Sequence, residues 1–305
     1  MRVCEKFASE FEDDEHYLLE SGLLVRLPVV FATQQSRFRT VGRLKRDALE
    51  GAWVEAKEGL EFAINFVKSN AQIDGLGLLS SPSLLIPIAV HAQLKKGKLS
   101  NGENKTLLRW FYLAHMRAHY SIGSSETWLD GDLNALFRTK NLDNLLKQLQ
   151  QHVKQFEVGY SDVEHRSIRN PLFSMLYFVL RQNGAKDWLS GIKLSNKHVG
   201  KSHKLQYHHI FPKSLLKKEG YDKKEINEIA NMAFIGGKTN RHILNNPPSD
   251  YFPKDIIPKQ GESALTSQLI PTDPKLWQLK NYREFLDYRR KAIVKAINSF
   301  LETVE

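Results

Sequence analysis

The fold of the C-terminal half is decided by two stretches, LQYHHIFP at residues 205–212 and NMAFIGGKTNRH at residues 231–242. The first stretch alternates and ends at a proline, which is typical of a strand that leads into a loop. In the second, residues 232–235 predict another short strand, and Gly236-Gly237 predicts the tight turn of a hairpin. Thr239 or Asn240 then predicts the start of a helix. The two stretches therefore predict a compact module of two strands and a helix.

The chain on either side of these stretches is predicted to be mainly helical. Apolar residues recur at spacings of three and four along most of it, which is the pattern of amphipathic helices. Ser81 and Pro82 suit the start of one helix, as its N-cap and its first position. The predicted helices cover residues 45–68, a segment that starts at Ser81, residues 107–120, one or two helices over 129–156, residues 171–182 and residues 281–301.

Glycines and prolines set the predicted boundaries of the strand-bearing module. Gly184 and Gly191 mark a break before it, and four prolines between residues 247 and 258 mark a break after it. We therefore predict an α+β fold, in which the module is inserted in a mainly α-helical scaffold. The predicted parts are a helical domain over residues 1–188, the module over 189–258, and a C-terminal helical segment over 259–305 that packs on the scaffold.

The composition excludes several classes of protein. Of the 305 residues, 41% are hydrophobic and 26% are charged, and no apolar run reaches the roughly eighteen residues that a membrane helix needs. The first twenty residues are acidic, unlike a secretory signal. The single cysteine, Cys4, excludes an intramolecular disulfide and a cysteine-based zinc cluster. These features predict a cytoplasmic protein without membrane segments.

Positive charge predicts a polyanionic partner. The formal net charge is +10, and such a balance favours nucleic acids or acidic surfaces. Eleven Lys or Arg residues against four Asp or Glu lie between Ser190 and Asn245, together with five histidines. Basic side chains around histidines are what a site that cleaves phosphodiesters needs. The alternative is a lysine-rich face that contacts only water.

The strand-bearing module resembles an HNH nuclease of the ββα-metal kind. In that family an Asp-His or His-His pair lies on the first strand, an Asn begins the second strand, and a His or Asn lies at the start of the helix. The corresponding residues here are His208, His209, Asn231 and Asn240, and the two asparagines are nine positions apart. The motif is thus of the His-Asn-Asn form. The alternative for Asn240 is a plain helix N-cap.

The resemblance implies a role for each of these residues. His209 would be the general base that takes a proton from the attacking water, and Asn231 would fix the loop between the strands. His208 and Asn240 would hold one divalent ion, Mg²⁺ or alternatively Mn²⁺, at the scissile phosphate. His242 is either a third ligand or a DNA contact. The residues expected to contact DNA are Lys204, Lys213, Lys238 and Arg241.

A longer part of the chain resembles GmrSD-type restriction proteins. The likeness is carried by HHIFPKSLL at residues 208–216 and INEIANMAFIGGKTNRHILNNPPSDYF at residues 226–252, with Trp277, Phe285 and Arg289-Arg290 after them. In that family a ParB-like nucleotide-hydrolysing domain precedes the nuclease part, and the sequence contains no glycine-rich phosphate loop. We therefore expect a fragment of a longer protein, or a separately encoded nuclease subunit whose partner is a ParB-like NTPase.

The predicted function is that of a metal-dependent HNH endonuclease that hydrolyses DNA phosphodiester bonds in restriction or anti-phage defence. DNA is the predicted partner, and a membrane is not. One alternative is a nuclease-silent DNA-binding or assembly subunit of an NTP-dependent restriction complex. A second is a nuclease that acts on RNA, since a site of this kind contacts the backbone. His209 favours the enzyme, because Tyr, Gln or Ala at that position would favour the silent subunit.

Overall fold

The computed structural model describes residues 21–37, 44–153 and 155–304. Cys4 and the acidic first twenty residues lie outside this part of the chain. Contacts between residues divide the chain into two units, one holding the residues up to Phe156 and from Thr303, the other holding Glu157–Glu302. The divisions at residues 188 and 258 stay a prediction.

The first unit is built of α-helices. Ser81 begins one of them as predicted, because its hydroxyl accepts a hydrogen bond from Ser83 N at 3.2 Å and starts a 3₁₀ turn that runs into a helix. Another begins with a capping box, in which the Ser100 hydroxyl accepts from Glu103 N and the Glu103 carboxylate accepts from Ser100 N. The helices are α1 (Ser21–Thr33), α2 (Arg46–Ser69), α3 (Leu85–Leu94), α4 (Asn101–Met116), α5 (Ser125–Thr139) and α6 (Leu142–His152), with 3₁₀ turns at Leu76–Leu78 and Pro82–Leu84.

The second unit contains the two strands, two long helices and many short ones. The strands are β1 (Leu205–His209) and β2 (Met232–Gly236). The helices are α7 (Tyr160–Val163), α8 (Pro171–Gln182), α9 (Gly200–His203), α10 (Lys213–Lys218), α11 (Lys223–Ile226), α12 (Gly237–Ile243), α13 (Pro248–Tyr251), α14 (Ile257–Gln260), α15 (Ser263–Thr266) and α16 (Tyr282–Thr303). Short 3₁₀ turns lie at Ile229–Asn231, Pro274–Trp277 and Leu279–Asn281, and a π-helical turn at Phe252–Ile256.

The predicted hairpin turn at Gly236-Gly237 is wrong. β1 and β2 pair antiparallel, with Leu205 opposite Gly236 and His209 opposite Met232, and the loop 210–231 connects them. Gly236 is the last residue of β2, and Gly237 is the first of α12. The reason for glycine at position 237 is a close approach: a Cβ there would lie 2.3 Å from the carbonyl oxygen of Lys201.

Helices α8 and α16 pack around the sheet. Phe173 and Tyr177 of α8 place their rings 4.8 and 5.3 Å from the ring of Phe234 in β2. Phe285 of α16 lies 4.8 Å from Phe211, which follows β1. The predicted helices 171–182 and 281–301 are therefore confirmed as elements. Within the second unit, the first packs against β2 and the other against the residues that follow β1.

Side chains close the outer edge of β2. The side chain of Gln268 makes the two hydrogen bonds that a third strand would make to Phe234. Its Oε1 accepts from Phe234 N at 2.9 Å, and its Nε2 donates to Phe234 O at 2.8 Å. Asp187 accepts from Gly236 N at 2.6 Å. Arg289 of α16 is fully buried and donates to the carbonyl oxygens of Ala230, Met232, Gln268 and Leu269. The second strand is thus held on both sides.

Replacing Arg289 with methionine should destabilise the fold. Burial lowers the pKa of Arg289 to about 9, so the guanidinium stays charged at pH 7. Its loss leaves buried carbonyl oxygens without donors, and each such oxygen costs about 1–3 kcal/mol of stability. The variant no longer has to bury a charged group, and the desolvation penalty that is saved offsets part of that cost. We expect the free energy of unfolding in urea to fall by roughly 2–4 kcal/mol.

Arg283→Met is the matched control for this measurement. Arg283 is exposed on the same helix and pairs with Glu225 at 2.8 Å, so its loss should lower the free energy of unfolding far less than the loss of Arg289 does. Equal losses for the two variants would show that the buried hydrogen bonds of Arg289 add nothing to stability.

The part of the chain that the structure describes is mostly helical and contains one small two-stranded sheet, which agrees with the predicted α+β class at this level. Across the described ranges, no helix is both long enough and apolar enough to pass through a membrane.

Candidate active site

The site lies where β1, β2 and α12 meet. Alternate residues of a strand point to the same face, so Gln206 and His208 of β1 share one face. Asn240 lies in the first half of α12, directly after β2, and its side chain reaches both of them. The structure therefore brings His208 and Asn240 together, although they are 32 positions apart in the sequence.

His208 and Asn240 are joined by a hydrogen bond. His208 Nδ1 lies 2.8 Å from Asn240 Oδ1, and Asn240 Nδ2 donates to Gln206 Oε1 at 2.6 Å. Since an amide oxygen only accepts, Nδ1 carries the ring proton in this arrangement and Nε2 keeps a lone pair. Nε2 is buried and has no hydrogen-bond partner among the described residues.

The environment of His208 keeps its imidazole neutral. The ring is only 5% exposed, with the rings of Trp188 and Tyr251 edge-on to it at 5.9 and 6.0 Å. Burial lowers the pKa of His208 to about 4, against a smaller opposing effect of the bond to Asn240. A neutral imidazole is the form that binds metal ions.

His209 is half-buried at the end of β1 and points away from His208. Its Nε2 lies 3.2 Å from Asn227 Oδ1, and Asn227 Nδ2 donates to Lys223 O at 2.8 Å. The second bond fixes the amide of Asn227, so Nε2 of His209 is the donor and Nδ1 is the ring atom that can accept a proton. Burial, and next the charge of Lys213, lower the pKa of His209 to about 4, so the ring is neutral at pH 7.

Asn231 ties the ends of the loop 210–231 together. Its Oδ1 accepts from Phe211 N at 2.9 Å, and its Nδ2 donates to the carbonyl oxygens of Phe211 and Ile226 at 3.1 and 3.0 Å. The side chain is fully buried. These hydrogen bonds to the backbone hold the segment that follows His209, and they give Asn231 a means of fixing the loop between the strands.

The four basic residues expected to contact DNA are all exposed. Lys204 precedes β1, Lys213 begins α10, and Lys238 lies in the first turn of α12 rather than in a hairpin turn. Arg241 donates to Lys201 O at 2.8 Å. His242 does not join His208 and Asn240, because its Nε2 bonds to Asp255 at 3.0 Å.

Comparison with known proteins adds little to this geometry. No family model matches the chain. The chain is similar to an uncharacterized protein of Methanocaldococcus jannaschii, with 24% identity over 160 residues. The aligned part is 52% of this chain and 26% of the relative, so the chain spans about a quarter of that relative's length.

His208 and Asn240 fit two neighbouring ligands of a divalent ion. Mg²⁺ takes few protein ligands at about 2.0–2.1 Å, so adjacent ligand atoms in its octahedron lie about 2.9 Å apart. His208 Nδ1 and Asn240 Oδ1 are 2.8 Å apart, and for both atoms to bind one ion the ring proton would have to move from Nδ1 to Nε2, so that Nδ1 offers its lone pair. The described residues contain no cluster of three or more His, Cys, Asp or Glu suited to a metal. The pair offers one imidazole nitrogen and one amide oxygen, so an ion held here would need water or phosphate oxygens as its other ligands.

Three polar residues around the site were missed in the sequence analysis: Gln206, Asn227 and Asp187. Asp187 is buried and accepts from Gly236 N, Thr239 Oγ1 and Ser190. Burial alone would raise the pKa of Asp187, but these hydrogen bonds hold it below its usual range. The carboxylate thus fixes the junction at which β2 becomes α12. Alternation along β1, which places Gln206 on the face of His208, was the one sequence signal for any of them.

Proposed function

We propose that this chain is a metal-dependent endonuclease of the HNH kind that hydrolyses DNA phosphodiester bonds, as a component of restriction or defence against foreign DNA. The observation that carries the proposal is the pairing of His208 with Asn240 at 2.8 Å, next to a neutral His209. The order strand, strand, helix around them is the order that the resemblance implies. A separately encoded NTPase subunit is part of the same proposal.

Within this proposal, His209 acts as the general base and Asn231 as the residue that fixes the loop after it. His209 Nδ1 takes a proton from the attacking water, while Asn227 holds Nε2. Asn231 fixes the backbone at Phe211 and Ile226 and so limits movement of the loop after His209. A divalent ion held by His208 and Asn240 would supply positive charge, which stabilises the negative charge of the phosphorane-like transition state.

Cleavage of supercoiled plasmid in Mg²⁺ tests this function, with the His209→Ala chain purified in parallel to account for contaminating nucleases. Single-stranded DNA and RNA of matched sequence serve as further substrates. DNA that is bound but never cleaved would favour the nuclease-silent subunit, and cleavage of RNA alone would favour a ribonuclease.

Exposed lysines of α10 should contribute phosphate contacts. Lys217 and Lys218 are exposed and form no ion pair within the described ranges. If both lysines contact phosphates, each releases a counterion when DNA binds. The logarithm of the binding constant then falls linearly with the logarithm of the salt concentration, by about 0.9 per phosphate contacted. Replacing both with glutamine should weaken binding to every sequence and flatten that slope by up to about 2.

The control for this salt titration removes two lysines that already have carboxylate partners. Lys254 pairs with Asp250 at 2.8 Å and Lys291 pairs with Asp287 at 2.7 Å. The double change to glutamine at 254 and 291 alters the net charge equally and should leave the slope near that of the wild type. Slopes that coincide for all three proteins would mean that Lys217 and Lys218 face only solvent.

A further inference from the structure

We propose that Gln206 is a positioning residue for Asn240, and that it sets the affinity of the site for a divalent cation by holding the amide oxygen of Asn240 towards His208. The inference rests on the proposed function, because it assigns a role to Gln206 at the same metal site. Gln206 belongs to none of the motif positions that the resemblance defines.

The side chain of Gln206 lies within hydrogen-bonding distance of Asn240. It lies on β1 two residues before His208, and its backbone is fixed by pairing with Ile235 of β2. Its Oε1 accepts from Asn240 Nδ2 at 2.6 Å, the shorter of the two side-chain hydrogen bonds that Asn240 makes. Among the described residues, no hydrogen bond joins the side chains of Gln206 and His208.

The chemistry of an amide explains why this contact matters. Only the oxygen of Asn240 can bind a cation, because its NH₂ group is a donor without an available lone pair. His208 does not fix which end faces it, since a neutral imidazole can donate or accept at Nδ1. In the structure Gln206 Oε1 accepts from the NH₂ end of Asn240 at 2.6 Å, which leaves the oxygen on the side of His208. A glutamine amide can itself present either end, whereas the carboxylate of Gln206→Glu can only accept.

The strength of the effect follows from the behaviour of other metal sites. Groups that orient a metal ligand without touching the metal typically change metal affinity by about 10–100-fold when they are removed. An amide ligand depends on such a partner more than a carboxylate does, because a carboxylate presents oxygen in either orientation. We therefore expect Gln206→Met, which keeps the length of the side chain but offers only a weak sulfur acceptor, to lose affinity.

The test is Mn²⁺ binding to the full chain without DNA, measured by isothermal titration calorimetry. Gln206→Met should raise the Kd for Mn²⁺ by about 10-fold or more, while its melting temperature stays close to that of the wild type. Gln206→Glu keeps an acceptor at this position and should bind Mn²⁺ at least as tightly as the wild type. Gln278→Met, the same change at an exposed glutamine of the second unit, should leave the Kd unaltered.

The outcomes separate this inference from the function on which it depends. A wild-type chain that binds no Mn²⁺ would overturn the metal site, and Gln206 would lose its role with it. Tight binding by the wild type with an equal Kd for Gln206→Met would overturn the role of Gln206 and leave the site in place. If Gln206→Met does not fold, a Kd for Gln206→Glu that is 10-fold weaker than that of the wild type would contradict the inference.

Discussion

His209→Ala is expected to slow cleavage of supercoiled plasmid by roughly 10²–10⁴-fold, the contribution of a general base. The imidazole is neutral at pH 7, because burial and Lys213 lower its pKa to about 4. It therefore holds a free lone pair at the pH at which the enzyme would work. The rate of nicking under single-turnover conditions, with enzyme in excess over plasmid, measures the effect.

A measurement of DNA affinity distinguishes the loss of a general base from the loss of a DNA-binding surface. DNA affinity of the His209→Ala chain, measured in Ca²⁺ to prevent turnover, should stay close to that of the wild type. His203→Ala is a matched control, since His203 is exposed and lies in the same basic segment. Nicking at the wild-type rate by His209→Ala would remove this residue from the mechanism.

Removal of divalent metal should abolish cleavage, and Mg²⁺ or Mn²⁺ should restore it. The expected cause is the loss of positive charge at the phosphate in the transition state. His208→Ala should raise the Mg²⁺ concentration that gives half the maximal rate by at least about 10-fold. Loss of a metal ligand should lower metal affinity at least as much as loss of a residue that only orients a ligand. The measurement is a Mg²⁺ titration of the nicking rate after dialysis against EDTA.

His242→Ala is the control for the metal titration. His242 lies two positions beyond Asn240 but pairs with Asp255 at 3.0 Å, so its Mg²⁺ dependence should match that of the wild type. Full activity in EDTA would instead indicate a nuclease that works without metal, and the pairing of His208 with Asn240 would then need another explanation.

Elements with local signals could be predicted from the sequence. The helix from Pro171 to Gln182 has its predicted bounds, because Asn170 caps it and Pro171 suits its first position. The strand around His208 followed from alternation and from Pro212. In each case the deciding interactions lie within a few residues of the element, so neighbouring side chains are enough to place it.

Features set by distant contacts could not be predicted. Gly236-Gly237 carries the signal of a hairpin turn, but the carbonyl of Lys201 is what demands glycine at position 237. Asn227 and Asp187 look like ordinary polar residues, and the partners that give them their place at the site, His209 and Gly236, lie 18 and 49 positions away. Sequence pattern shows which residues suit chemistry, whereas the contacts that orient them come from the tertiary fold.

The closed outer edge of β2 also bears on how the protein behaves at high concentration. A strand with free backbone groups is a template for pairing with another chain, and it invites edge-to-edge self-association. Here the outward N–H and C=O groups of Phe234, the N–H of Gly236 and the C=O of Met232 are already bonded to side chains. This edge of the sheet therefore offers no backbone template for strand exchange or fibrillar growth.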